Sequence, residues 1–366
     1  MTTDLFSDLS IRDVTVPNRT MVSPMCQYSC EDRDGLATDW HHVHLGSRAV
    51  GGAGIVMAEA TAVEPRGRIS PEDLGIWSDE HADALRSTTA FIRQAGSVPG
   101  IQLAHAGRKA ATRRPWEGGD PLQPDQGGWE VVAPSDRPFP YEDATAPPTR
   151  RLSREEIGDV VGSFRAAARR AVDAGFQIVE IHAAHGYLLH EFLSPVSNRR
   201  DDAYGGDFDG RTRFLREVTT AVREEIGPDV PLFVRISATD WLDDRDSWTP
   251  EQSVRLADDL APLGVDLIDV SSGGISPDQS IDWTGPNYQT RFAERIRSET
   301  ASDVLVGSVG GIRTAEQAQE LLLNQRADLA IVGREFLRDP YFPLHAAQQL
   351  GEADRLQPPV QYRRGF

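Results

Sequence analysis

The chain has 366 residues, a formal net charge of −18 and a pI near 4.9. So acidic a chain is not expected to bind nucleic acid by counterion release or to be drawn to an anionic membrane. Its two cysteines, Cys26 and Cys30, exclude a disulfide framework and an iron–sulfur cluster that needs four thiolates. No apolar run is long enough to span a bilayer. Met1–Ser10 does not read as a secretory leader, so a cytoplasmic location is expected. Lys109 is the only lysine; every other basic residue except histidine is arginine. A GC-rich genome and adaptation to high salt both fit that bias.

In chain order, Leu5–Arg19 reads as a hairpin cap with turn residues Pro17 and Asn18, and Thr20–Met25 as a first apolar strand. His41–Val50 has helical spacing and is closed by Gly51-Gly52. Ile55–Glu59 reads as a strand, Asp79–Ala95 as a helix capped by Ser78, and Ile101–His105 as a third strand. Between residues 107 and 148 periodicity vanishes among prolines, glycines and two tryptophans. Long loops of this kind are often functional, and this one is expected to lie over one face of the fold. Ser153–Ala174 then reads as a helix with a Ser153/Glu156 capping box, followed by strand Ile178–His182 and helix Arg211–Ile226. Leu232–Ile236, Leu267–Val270, Val304–Val306 and Leu329–Val332 complete the strands. Helices Pro250–Leu263, Tyr288–Glu299, Thr314–Asn324 and Tyr341–Leu350 separate or follow them, and residues 357–366 form a tail.

Eight strands that are continuous apolar runs, alternating with helices, predict parallel strands covered on both faces. A single closed (β/α)8 barrel over residues 1–366 is the expected fold; a doubly wound open sheet is weakened because no G-x-G-x-x-G follows the first strand. In such a barrel the residues just after each strand line one mouth. Gly307–Gly311 and Gly333-Arg334 follow the last two strands, where backbone amides and a bidentate arginine suit a phosphate. Arg235, inside an apolar strand, needs an anionic or strongly polar partner: a flavin's N1–O2 edge, or an ion pair with Glu59 or Asp269. His182, His185 and Tyr187 follow the fourth strand, where they suit binding and protonating an oxygen-bearing substrate. Their spacing matches no zinc signature, so no metal is expected, although a metal-dependent barrel hydrolase recruiting His190 or Glu191 is one alternative. A Schiff-base aldolase using Lys109 is another, disfavoured by a position beyond the strand.

Taken together, Ser23-Pro24-Met25-Cys26-Gln27-Tyr28, Gln102–Lys109, His182–Tyr187, Phe192–Pro195 with Asn198–Arg200, and Tyr204–Gly206 resemble the Old Yellow Enzyme family of FMN-dependent ene-reductases. The resemblance covers nearly the whole chain. Cys26, Tyr28 and the terminal Arg364-Gly365-Phe366 are similar to its bacterial xenobiotic-reductase and thermophilic-like branch. It implies FMN touched by Ser23, Pro24, Met25 and Cys26, with Ala60 and Gln102 on the pyrimidine side and Arg235 at N1–O2. Gly310, Gly311, Gly333 and Arg334 would hold the phosphate. NAD(P)H would reduce the flavin, and an α,β-unsaturated carbonyl or nitro compound would accept hydride from N5 in ping-pong fashion. His182 and His185 would bind the substrate oxygen, Tyr187 would protonate, and Tyr28 would border the pocket. Arg364 would reach a neighbouring active site in a homodimer or homotetramer. The segment from Ala111 to Pro134 is longer than in the shortest family members.

Overall fold

A computed structural model describes residues 3–365. Phe366, the last residue of the terminal Arg-Gly-Phe, lies outside the described residues.

The first two strands, β1 (Leu9–Ile11) and β2 (Val14–Val16), form an antiparallel hairpin. Eight further strands close a barrel: β3 (Thr20–Val22), β4 (Ile55–Ala62), β5 (Val98–Ala104), β8 (Ile178–Ala183), β9 (Leu232–Ser237), β10 (Leu267–Ser271), β11 (Leu305–Val309) and β12 (Leu329–Val332). The remaining pair, β6 (Val131–Ala133) and β7 (Thr149–Arg151), is a small parallel sheet outside it. Every barrel pairing is parallel, and β9 pairs β10 as well as β8. With no edge left, the open-sheet alternative is gone.

Helices cross from strand to strand on the outside: α1 (Asp39–Val50), α2 (Asp79–Gln94), α3 (Arg154–Asp173), α5 (Phe208–Ile226), α6 (Pro250–Leu260), α7 (Thr290–Glu299) and α8 (Ala315–Leu323). Short α4 (Leu188–Leu193) and α9 (Arg334–Arg338) follow β8 and β12, and α10 (Phe342–Gln349) ends the barrel. The α3 capping box forms as expected: Ser153 Oγ accepts the Glu156 amide and Glu156 accepts the Ser153 amide. Thr249 caps α6, with Pro250 at its first turn. Between residues 107 and 148 the chain makes single 3-10 turns and β6, and β6 packs beside Tyr187 through Val131, Ala106, Ala110 and Ala111.

Two cores follow from the period-2 alternation of strands. Outward residues such as Val179, Ile181, Val234, Ile236 and Ile268 pack beneath the helices. Inward residues Met21, Ile55, Met57, Val98, Ile178, Phe233, Leu267 and Leu329 fill the barrel floor, which the hairpin's Leu9, Ile11, Val14 and Val16 seal. The mouth at the strands' C-terminal ends is left for chemistry.

Candidate active site and cofactor cavity

Each inward row starts apolar at the floor and turns polar toward the mouth. Along β8 the alternate positions are Ile178, Glu180 and His182; along β9, Phe233, Arg235 and Ser237; along β10, Leu267, Asp269 and Ser271. Strand register sets His182, Arg235 and Asp269 side by side, and Gln102 beside Glu180. Arg235 lies 3.3 Å from Asp269 and donates to Ser23 Oγ at 3.2 Å. Its partner is therefore Asp269 and not Glu59, which a bulge between Ala58 and Ala60 turns toward His41 Nε2 at 3.0 Å. The contact with Asp269 is made by Arg235 Nε as a charge pair without hydrogen-bond geometry.

The histidine corner is shaped by backbone that few residues tolerate. His185 has φ +61° and Gly186 φ +73°, and a Cβ on Gly186 would lie 2.1 Å from the Gly274 carbonyl. His182 and His185 meet edge-on at 5.1 Å, and His182 and Tyr187 at 5.2 Å. The Ala184 amide donates to His182 Nδ1 at 3.3 Å, which assigns the proton of the neutral ring to Nε2. His185 Nε2 shares a hydrogen bond with Ser271 Oγ at 2.7 Å. Desolvation, then the charge of Arg235, holds both imidazoles well below the usual histidine range. Desolvation, then Cys26, pushes the Tyr187 phenol well above its ordinary value. All three groups are therefore neutral around pH 7.

The corner is held from behind. His190 Nδ1 accepts the Gly186 amide at 2.8 Å, and its Nε2 donates to Asp240 at 2.9 Å. Asp240 also accepts from Ser194 Oγ at 2.6 Å and the Trp248 amide at 2.8 Å. Lys109 Nζ donates to the His185 carbonyl at 2.8 Å and the Gly274 carbonyl at 3.0 Å, and sits 5.2 Å from the Tyr187 ring centroid. Burial lowers its pKa to about 8. With two of its three donor directions spent on carbonyls, Lys109 is a clamp between loops, which argues against a Schiff-base role. Likewise His190 spends both nitrogens on protein partners, and no group of three or more His, Cys, Asp or Glu side chains that could hold a metal comes together among the described residues.

On the opposite rim, Gln27 is held by Glu59 through its amide and by Trp40 at 3.0 Å through its side chain. That fixes the stretch carrying Cys26 and Tyr28. Burial raises the Cys26 thiol well above its usual value, against hydrogen bonds from the Ala60 amide and the Tyr28 hydroxyl. The Tyr28 ring packs edge-on against Trp116 at 5.7 Å.

At the C-terminal ends of β3, β10, β11 and β12 lies a cavity of about 260 Å³. It brings together Ser23, Pro24, Met25, Arg235, Gly310, Gly311, Gly333 and Arg334. Gly310 (φ +126°) and Gly311 (φ +73°) make its turn. A Cβ on Gly333 would meet Met25 and Ser23 at ordinary van der Waals distance, 3.8 Å, so the glycine stands against the cavity's Ser23–Met25 wall. Arg313 and Arg334 both line it, and neither guanidinium has an ion pair or side-chain hydrogen bond among the described residues. In a chain with a net charge of −18 most guanidiniums find a carboxylate. Two left unpaired at one glycine turn, with the Arg235 guanidinium at the other end, fit a group that is a dianionic phosphate at one end and an electron-rich ring edge at the other.

A model of the NADH:flavin oxidoreductase / NADH oxidase family matches residues 4–353. The chain belongs to that family, the Old Yellow Enzyme family. It is 46% identical over 366 residues to an NADPH dehydrogenase of Geobacillus sp. (strain WCH70), covering 100% of this chain and 99% of the relative. Among solved structures, the Old Yellow Enzyme homologue from Zymomonas mobilis is 27% identical with a TM-score of 0.76, over 98% of this chain and 95% of that one. Morphinone reductase is 26% identical with a TM-score of 0.77, over 99% and 93%. This Old Yellow Enzyme family member is an NAD(P)H oxidoreductase with FMN as its cofactor.

The structure does not gather every expected residue into the one cavity. Ala60 and Tyr187 line a smaller space with Asp73. Gln102 points inward, its Nε2 donating to Glu180 at 2.8 Å. Tyr28 and Cys26 stand on the rim, and Arg364 is exposed in the tail, outside the cavity of its own chain. Ser271 and Val309 line the cavity as strand-end residues, and Tyr288, Gln289, Ile312 and Arg313 line it without having been singled out from the sequence. Ile312 and Arg313 follow the glycine turn already noted; Tyr288 and Gln289 sit ahead of a helix that starts at Thr290, with no signal of their own.

Proposed function

We infer that this enzyme is an ene-reductase, reducing the activated C=C of an α,β-unsaturated carbonyl or nitro compound. The observation that carries the reading is three neutral proton donors, His182, His185 and Tyr187, at the barrel mouth next to a cavity edged by unpaired arginines. Ser23, Pro24, Met25 and Cys26 would line the flavin ring, Ala60 and Gln102 its pyrimidine side, and Arg235 the N1–O2 edge. Gly310, Gly311, Gly333, Arg334 and Arg313 would hold the phosphate. The chemistry that bound FMN supplies is hydride transfer, taken from NAD(P)H and passed on from N5.

The substrate oxygen accepts the Nε2–H of His182, with His185 as second donor once it exchanges its Ser271 bond. Both rings are neutral, so they stabilise the charge that develops on that oxygen without giving up a proton. The alkene gains hydride at its β-carbon, and Tyr187 gives its phenolic proton to the α-carbon. A phenol that resists ionisation remains loaded across the neutral range. Tyr28 would border the substrate, and residues 107–148 would cover part of the mouth of a single FMN-binding domain. Exposed Arg364 would complete a neighbouring site in a homodimer or homotetramer. Among the described residues no helix is long and apolar enough to cross a membrane, and we place the enzyme in the cytoplasm.

The test is single-turnover oxidation of the pre-reduced enzyme by 2-cyclohexenone. Removing one donor to a developing oxyanion costs about 10²–10³ in rate. His182→Ala should slow reoxidation by that factor; an unchanged rate would remove the histidines from the chemistry.

A further inference from the structure

Two carboxyls in the polar layer have no part in the reaction as drawn. Glu180 and Asp269 are both fully buried beneath the mouth, Glu180 on β8 between Gln102 on β5 and Arg235 on β9, and Asp269 on β10 at the other side of Arg235. Glu180 Oε1 accepts from Gln102 Nε2 at 2.8 Å, and its Oε2 has no partner. Asp269 makes no hydrogen bond with either oxygen, and its one close charge is Arg235 at 3.3 Å. One guanidinium thus faces two carboxyls in a dry layer. If both were ionised, a net negative charge would be buried with three carboxylate oxygens lacking donors, a costly arrangement. One proton is retained. Asp269 has the ion pair and Glu180 only an amide, so the proton belongs on Glu180.

We propose that Glu180 is a positioning residue of the cofactor site: it keeps a proton at neutral pH, orients the Gln102 amide, and leaves Arg235 opposed by a single carboxylate. This rests on the FMN reading above. Burial, then the charge of Asp269, lifts Glu180 to about 8; burial lifts Asp269 less, to about 6, because Arg235 opposes it. The groups facing Glu180 are Gln102, Arg235 and Asp269, with neutral His182 two residues along its own strand. With Nε2 bound to Glu180, Gln102 keeps its carbonyl oxygen free to accept a hydrogen bond. With Glu180 neutral, Arg235 keeps enough net positive charge to favour an electron-rich ring edge. When Glu180 ionises, that advantage shrinks.

The experiment measures the FMN midpoint potential of the holoenzyme by spectroelectrochemistry from pH 6.5 to 9.5, for the wild type and Glu180→Gln. At pH 6.5 the two should agree, because Glu180 is already neutral there. Above about pH 8 the wild type should fall below the variant. By pH 9.5 its preference for the reduced flavin should be about tenfold weaker, about 30 mV for a two-electron couple. Asp269→Asn removes the repelling charge, so its bend should move to lower pH. Parallel plots for wild type and Glu180→Gln, or a constant gap already present at pH 6.5, would overturn the proposal. Should Glu180→Gln not fold, a wild-type plot with no added bend between pH 7 and 9 overturns it equally. A protein that binds no FMN would instead sink the reading on which the proposal rests.

Discussion

Replacing Asp240 by Asn tests how the histidine corner is held. The Asp240 carboxylate accepts three hydrogen bonds, from His190 Nε2, Ser194 Oγ and the Trp248 amide, with all four residues buried. Asparagine offers one oxygen and one NH2 in the same space. If its oxygen takes the His190 bond, the NH2 faces the Trp248 N–H, and a buried backbone donor is orphaned. If the amide flips, the NH2 faces His190 Nε2–H, and the imidazole must shift its proton to Nδ1, against the Gly186 N–H. Either way one buried donor loses its acceptor, about 1–3 kcal/mol, and the surviving bonds lose charge assistance. We expect a loss of about 2–5 kcal/mol in urea unfolding followed by tryptophan fluorescence. A turn displaced by about 1 Å can cost about 10²-fold in rate, so reoxidation by 2-cyclohexenone should slow even under conditions where the variant is folded. An unfolding free energy within about 0.5 kcal/mol of wild type, with an unchanged reoxidation rate, would refute the view that His190 and Asp240 position this turn.

Gly186→Ala should be worse tolerated than its size suggests, because it combines φ +73° with a Cβ 2.1 Å from a carbonyl oxygen. Loss of enone turnover with FMN still bound is the expected result, read by activity and flavin absorbance. Arg334→Ala should weaken FMN about tenfold, and added salt should narrow the gap from wild type, as measured by flavin fluorescence on release; an equal affinity would remove the arginine from the phosphate site. Burial raises the thiols of Cys26 and Cys30, so both are protonated at pH 8. Iodoacetamide should alkylate neither at an appreciable rate until the protein is unfolded, as mass spectrometry would register.

The barrel was legible because parallel strands buried on both faces are plain apolar runs, and a run such as Leu232–Ile236 reads as a strand whatever surrounds it. Ends were less legible. The strand expected from Ile101 starts at Val98, since Pro99 and Gly100 hide its beginning, and the helix expected from Arg211 starts at Phe208, capped by Asp207. The turn of helix at Leu188–Leu193 and the pairing of Val131–Ala133 with Thr149–Arg151 are too short to show a period. At the site, glycine turns and the histidine corner carry local signals. The polar layer does not. Glu180 and Asp269 each interrupt an apolar run by one residue, and only strand register reveals that they face Gln102 and Arg235. His190 is similar: its neighbours in sequence say nothing of Asp240, fifty residues away.

The most direct test of the ene-reductase reading is one anaerobic visible spectrum of the purified protein, followed through addition of NADPH and then 2-cyclohexenone. Flavin bands that bleach with the nucleotide and return with the enone are the predicted result. Bands that bleach and stay bleached with enones and nitroalkenes alike would contradict it.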